Sequence, residues 1–167
     1  MIASPFITLN AYIQRRHDSR GHLDVLYEQG DLVLKRSFSR AGVFRGMHLQ
    51  SPPHQQTKLI RVASGRILDF IADPSEQPAR LFRREIVPSD GWIQIDAHFA
   101  HGFYAIEDTE FEYLCLGSYN EKAELSFCIV DFLQSKLGLS ELRLSAKDAA
   151  AAPLNVVDGS LQNESLN

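Results

Sequence analysis

An all-β chain, folded as a sandwich, barrel or jelly roll, is the expectation from three features of these 167 residues. Apolar and polar residues alternate in short runs, the period of a half-buried strand. Turn signals punctuate the runs at close, fairly even spacing. A helical pattern is confined to one stretch near the end.

The elements follow in order. "HDSRGH" reads as a turn, with "LDVLYEQ" after it as a strand. "DLVLKRSFS" alternates, and "AGVFRGMHLQ" runs up to the break at "SPPH". "TKLIRVASGRILDFIAD" gives two strands joined by a hairpin loop over Ala63 to Arg66, with glycine in it. "LFRREIVPSDGWIQI" repeats that form around "PSDG". "FAHGFYAIEDTEFEYLCLGSYN" makes another pair around "EDTE", and "LSFCIVDF" closes the series of strands. "LSAKDAAAAPL" reads as a short C-terminal helix, with Ser145 at the N-cap and Asp148 as its N3 partner. Residues 155–167 are polar and read as a loose tail. Residues 1–154 are then one domain, a length that suits one sizeable core.

Charge and composition exclude some classes. Lysine plus arginine number 17 against 21 acids, a net charge of −4. That leaves no dominant basic face for nucleic acid or a membrane surface. No run approaches the roughly 18 apolar residues of a membrane span, and the first residues lack a secretory pattern. Cys115 and Cys128 sit inside apolar runs and read as buried free thiols, which suits the reducing cytoplasm. Neither has a metal-binding spacing.

Strand parity decides which side chains share a face. Phe111, Tyr113 and Cys115 share one, and their neighbours make it the inside. Lys58, Ile60 and Val62 share another, which places an amine beside the interior. Arg45 and His48 have opposite parity on a regular strand, and Gly46 between them could mark a bulge that re-aims one of them. Buried charges are costly unless paired. Arg45, His48 and Lys58 therefore either face solvent or line a pocket built for an anion and a proton transfer. His98 and His101 form an H-x-x-H, but residues three apart on a strand face opposite sides, against a metal pair.

"GVFRGMHLQSPPHQQTKL" resembles the signature of the dTDP-4-dehydrorhamnose 3,5-epimerases (dTDP-4-keto-6-deoxyglucose 3,5-epimerases) and their antibiotic-sugar and heptose relatives. "DSRGH", "FAHGF", "FEYLCLGSY" and "LSAKDAAAAP" resemble further blocks of that family, in family order, over about residues 18–154. The resemblance implies a cupin-type jelly roll that needs no metal or other cofactor. It also implies a homodimer with strand exchange, acting on a nucleotide-diphosphate sugar. The reaction implied is inversion at C3, C5 or both, beside the C4 ketone of a 6-deoxy sugar. His48 matches the family's base and Asp148 the carboxylate that orients it. Tyr113 matches the opposing acid, and Lys58 the residue that stabilises the enolate oxygen. Arg45 and, from the partner subunit, Arg20 match diphosphate contacts. His101 and Tyr119 match further pocket residues, and Gln56 lies in the matching glutamine-x-lysine run.

The chain departs from the pattern where the nucleotide is held. Val33 and Lys35 replace two amide side chains, while Ser37 and Ser39 remain; Val25 replaces a glutamate, and Leu23 and Asp24 replace aromatic residues. A nucleotide other than dTDP, or a different sugar, is the expectation. Two rival classes remain. A metal-dependent cupin isomerase or oxygenase would supply H-x-H on one strand, where this chain has His48-Leu49-Gln50. A non-catalytic sugar-nucleotide binding module would fail to bring His48, Asp148 and Tyr113 together.

Overall fold

The computed structural model describes residues 14–159. The strands are β1 (Gln14–Asp18), β2 (Gly21–Gln29), β3 (Leu32–Ser39), β4 (Phe44–Gln50), β5 (Thr57–Ser64), β6 (Ile67–Ala72) and β7 (Ala79–Ile86). They continue with β8 (Ile93–Ile95), β9 (Ala100–Ala105), β10 (Thr109–Leu116), β11 (Glu124–Cys128), β12 (Ala152–Pro153) and β13 (Val156–Asp158). Two helices interrupt the series late, α1 (Val130–Leu137) and α2 (Ala146–Ala149). The strands form two sheets, a six-stranded one in the order β1-β2-β3-β10-β5-β8 and a seven-stranded one in the order β12-β11-β4-β9-β6-β7-β13. The alternating runs allow a sandwich, barrel or jelly roll; the structure is the two-sheet jelly roll that the resemblance implies.

The local turns are where expectation and structure part. The "ASGR", "PSDG" and "EDTE" segments join strands of different sheets, β5 to β6, β7 to β8 and β9 to β10. They are crossings between sheets, so the hairpin expected over Ala63 to Arg66 is absent. Two of the crossings pack on each other. The Ile106 N–H donates to the Arg66 carbonyl at 3.0 Å, and the Arg66 N–H donates to Thr109 Oγ1 at 3.1 Å. A turn signal in sequence says that the chain reverses, and leaves open which sheet receives it.

Two apolar clusters hold the layers together. Between the sheets lie Ile60, Val62, Ile67, Ile86, Ile95, Phe103 and Phe111. On the other side of the seven-stranded sheet, Phe44, Met47, Phe70 and Leu81 pack with Ile129, Phe132 and Leu133 from the start of α1. Each fully buried side chain of this size contributes about 1.5–3 kcal/mol relative to exposure. The apolar run predicts a last strand through "CIVDF"; in the structure that strand stops at Cys128 and α1 follows. The signals for α1 are present in hindsight. Ile129, Phe132, Leu133 and Leu137 recur at helical spacing, and Gly138 caps the end in the left-handed conformation. The expected C-terminal helix shrinks to the single turn of α2. From residue 155, where a loose tail was expected, Val156–Asp158 pairs parallel with β7. Residues 160–167 lie outside the described residues.

Candidate active site

At one end of the sandwich the inner faces enclose a cavity of about 410 Å³. It is lined by His48, Tyr113, Asp148 and Lys58 together with Arg20, Arg45, Gln56, His101, Tyr119 and Lys35. Every site residue named from the sequence therefore meets in one place. Alternation explains how strands carry polar groups there. Along β5, Val62 and Ile60 are core and Lys58 lines the cavity. Along β10, Phe111 closes the core, and Tyr113 and Cys115 follow on the same face.

The parity conflict between Arg45 and His48 is resolved by a bulge. Arg45 pairs with Phe103 and His48 with His101, so β4 carries one extra residue between them. Gly46 takes φ +124°, and a Cβ there would stand 2.4 Å from Gly102 Cα and 2.8 Å from the His101 carbonyl oxygen. Only glycine fits that approach. The bulge turns both Arg45 and His48 into the cavity.

His48 Nε2 lies 2.7 Å from Asp148 Oδ1. Asp148 is in α2, whose N-cap Ser145 accepts the Asp148 N–H at 3.0 Å. The carboxylate does not return to the cap; its second oxygen accepts from Arg20 Nη1 at 3.1 Å. Only 1% of Asp148 is exposed. Burial alone would push its carboxyl up, but the His48 hydrogen bond and charge, with Ser145 and Arg20, outweigh it and hold Asp148 below the usual carboxylate range. Arg20 donates its remaining bonds to Asp18 Oδ2 at 3.0 and 2.6 Å. The resemblance placed Arg20 in a partner's cavity; here it reaches the cavity of its own chain.

The other ring nitrogen of His48, Nδ1, is 3.7 Å from Glu124 Oε1. Glu124 on β11 also accepts from Tyr119 Oη at 3.1 Å and from Lys147 Nζ at 2.7 Å. Burial raises its carboxyl, but the Lys147 hydrogen bond and the His48 charge bring it below the ordinary value. Tyr119 is half exposed, and its phenol is pushed up to about 12 by burial and by the Glu124 charge.

Lys58 Nζ donates to the His48 carbonyl at 3.2 Å and makes no ion pair among the described residues. Burial pushes its amine below the ordinary lysine value. Burial moves the Tyr113 phenol the opposite way, well above its ordinary value. Tyr113 sits opposite Lys35 on β3, whose ammonium lies 5.7 Å from the Tyr113 ring centre and 5.3 Å from that of Tyr119. Arg45 Nε donates to Ser39 Oγ at 2.8 Å, and burial lowers its guanidinium. Gln56 Nε2 donates to the Gly117 carbonyl at 2.8 Å and ties down the loop after β10.

His101 Nε2 lies 2.7 Å from Asp69 Oδ1, both residues buried. His98 is exposed in the turn before β9 and packs on Phe99, with ring centres 3.9 Å apart; it is this turn, and not strand parity, that parts it from buried His101. No cluster of three or more histidine, cysteine, aspartate or glutamate residues suited to a metal occurs among the described residues. Sequence reasoning missed Asp69 and Glu124. Asp69 had a signal: an acid inside the apolar run "RILDFIAD", on the face of Ile67 and Ile71. Glu124 had none, because its partners come from three other elements.

The arrangement supplies an imidazole with its tautomer fixed by a carboxylate, a protonated phenol, a lysine amine and three arginines, Arg16, Arg20 and Arg45, in one cavity. The family model described as dTDP-4-dehydrorhamnose 3,5-epimerase matches residues 9–155. The dTDP-4-dehydrorhamnose 3,5-epimerase of Mycobacterium tuberculosis is 34% identical over 100 residues, 57% of this chain and 50% of that protein. The chain thus spans about half the length of that relative. The Salmonella typhimurium enzyme of the same name is 31% identical over 134 residues, 71% of this chain and 69% of its own. The crystal structure of dTDP-6-deoxy-D-glucose-3,5-epimerase from Legionella pneumophila, in complex with dTDP-4-keto-L-rhamnose, superposes with a TM-score of 0.61 at 27% identity, covering 87% of each chain. With the family's blocks meeting in one cavity and its model matching nearly end to end, the chain belongs to the dTDP-4-dehydrorhamnose 3,5-epimerase family.

Proposed function

We propose that this chain is an isomerase that inverts C3, C5 or both in a nucleotide-linked 4-keto-6-deoxy sugar. The observation that carries the reading is the His48–Asp148 pair, which shares its cavity with Tyr113 and Lys58. A hydrogen beside a ketone leaves as a proton only if the enolate oxygen is stabilised. The buried Lys58 ammonium supplies that, a contribution of about 3 kcal/mol for a well-placed donor. The Nε2 proton of His48 is donated to Asp148, which leaves the Nδ1 lone pair to take the substrate proton. Glu124 then faces the new Nδ1–H. Tyr113 keeps its proton through neutral pH and delivers it to the opposite face. The substrate's own ketone is the electron sink, so no cofactor enters a step.

Arg45 and Arg20 hold the diphosphate, a pairing that guanidinium geometry favours. Val33, Lys35 and Val25 stand where the family has groups that hold the nucleotide, which supports a nucleotide other than dTDP. A calorimetric titration in which dTDP binds far more tightly than CDP, GDP and UDP would overturn that part. The working unit is a homodimer. The outer face of the six-stranded sheet supports this, with the half-buried row Leu34, Leu114, Leu59 beside exposed Tyr27 and Leu116.

The reaction is tested by incubation in deuterated water with a panel of nucleotide-linked 4-keto-6-deoxy sugars and heptoses, read by NMR. Deuterium at C3, C5 or both names the inversion, and the sugar that labels names the substrate. No label in any of them would defeat the reading.

A further inference from the structure

The deepest acid of the site has two masters. Asp148 holds His48 through one oxygen and Arg20 through the other, at 2.7 and 3.1 Å. Arg20 is largely buried, with 13% of its side chain exposed, and it lines the cavity. Asp18 clamps its Nε and Nη2 from the far side. A guanidinium carries five N–H donors in a rigid fork. These bonds leave donors on Nη1 and Nη2 for a further oxygen acceptor. We propose that Arg20 is a positioning residue for the base: through Asp148 it couples occupancy of the anion-binding end of the cavity to the proton affinity of His48. The proposal rests on the reading that this cavity receives a diphosphate.

The physical argument is one of shared charge. While Arg20 sits on Oδ2, part of the Asp148 charge is neutralised and a cation stands close behind the imidazole. Both effects disfavour imidazolium. An arriving diphosphate offers Arg20 a doubly charged partner and neutralises its field. The Asp148 charge then falls on His48 undiminished, and the imidazole becomes a stronger base once substrate is in place. Other charged groups around His48 set the background. Glu124 on β11 faces Nδ1 and is itself held by Lys147 of α2; Lys58 on β5 reaches the His48 carbonyl; His101 on β9 is its register partner; Arg45 lies on its own strand. None of them bonds to Asp148, so Arg20 provides the direct link from an anion to the carboxylate behind the base.

The test follows the His48 ring resonances by NMR against pH, with and without inorganic pyrophosphate, which probes the anion-binding end without choosing a base. In the native protein, pyrophosphate moves the His48 midpoint upward by about half to one pH unit. Arg20→Gln raises the midpoint before any anion is added, and the increment from pyrophosphate shrinks. Arg20→Lys, which keeps the charge, restores the native midpoint and serves if the glutamine variant fails to fold. A purely structural arginine would leave the midpoint in place, and that result overturns the proposal. Calorimetry on the same samples separates the two readings. Pyrophosphate binding with identical midpoints in native and variant protein defeats the coupling alone; no binding to native protein defeats the diphosphate reading beneath it.

Discussion

His48 and Asp148, 100 residues apart in sequence, meet at 2.7 Å on the wall of one cavity. Two unrelated local devices bring them there. A glycine bulge in β4 aims the imidazole inward, and a one-turn helix capped by Ser145 presents the carboxylate.

Asp148→Asn keeps the shape and loses the charge. Exchange of the substrate hydrogen falls by roughly 10²–10⁴-fold, because the amide no longer fixes the tautomer or supports imidazolium. The stability effect has a definite sign. The folded-state carboxyl lies below its ordinary value, so its contribution is present above the unfolded value, about 3.9, and is lost as pH falls through the folded one. Thermal melts of native and variant protein therefore differ at neutral pH and converge in acid.

Lys58→Met separates function from stability. A buried ammonium with a lowered folded-state value binds its proton less well than in the unfolded chain, so it costs stability wherever it is charged in both states. Methionine removes that cost. The variant melts higher, by roughly 2–4 °C for each 1 kcal/mol relieved, while exchange is lost. A lower melting temperature would show that the amine is satisfied in place.

The alkaline limb of the rate reports the same amine. As pH rises through the lowered Lys58 value, the ammonium loses its charge and the enolate its support. The Tyr113 phenol, raised by burial, is still protonated there. The limb turns below the ordinary lysine value of about 10.4, and it stays in place in Tyr113→Phe. A limb that vanished in that variant would assign it to the phenol.

Gly46→Ala tests the bulge. A methyl group 2.4 Å from Gly102 Cα forces two strands apart, and the backbone angle disfavours any Cβ. A cost of about 3 kcal/mol or more follows, a fall in melting temperature of roughly 6–12 °C. Any folded fraction has lost the alignment of His48 with Asp148, which the His48 ring resonances would register.

Much of this site was legible before the structure. Alternation puts Tyr113 and Cys115 on the face of Phe111 and Lys58 on that of Ile60 and Val62, and their apolar neighbours make both faces inner ones. Arg45 and His48 needed one further inference, a bulge at Gly46, and the register shift bears it out. What stayed hidden depends on contacts that sequence does not encode locally. "ASGR" and "EDTE" read as hairpins, since a turn joining two sheets uses the same residues as one joining neighbours. The start of α1 was absorbed into a strand, because "CIVDF" is apolar enough for either. Glu124 carried no signal, because its role is set by His48, Tyr119 and Lys147 arriving from elsewhere.

The account stands on an imidazole and a phenol acting from opposite sides of one sugar. The direct test is the ratio of hydrogen washout to completed inversion, measured together in deuterated water. Native protein shows both, and His48→Ala loses both. Tyr113→Phe retains washout while inversion falls by roughly 10²-fold or more. Equal loss of washout and inversion in Tyr113→Phe would contradict the phenol as the second proton donor, and with it the two-sided mechanism.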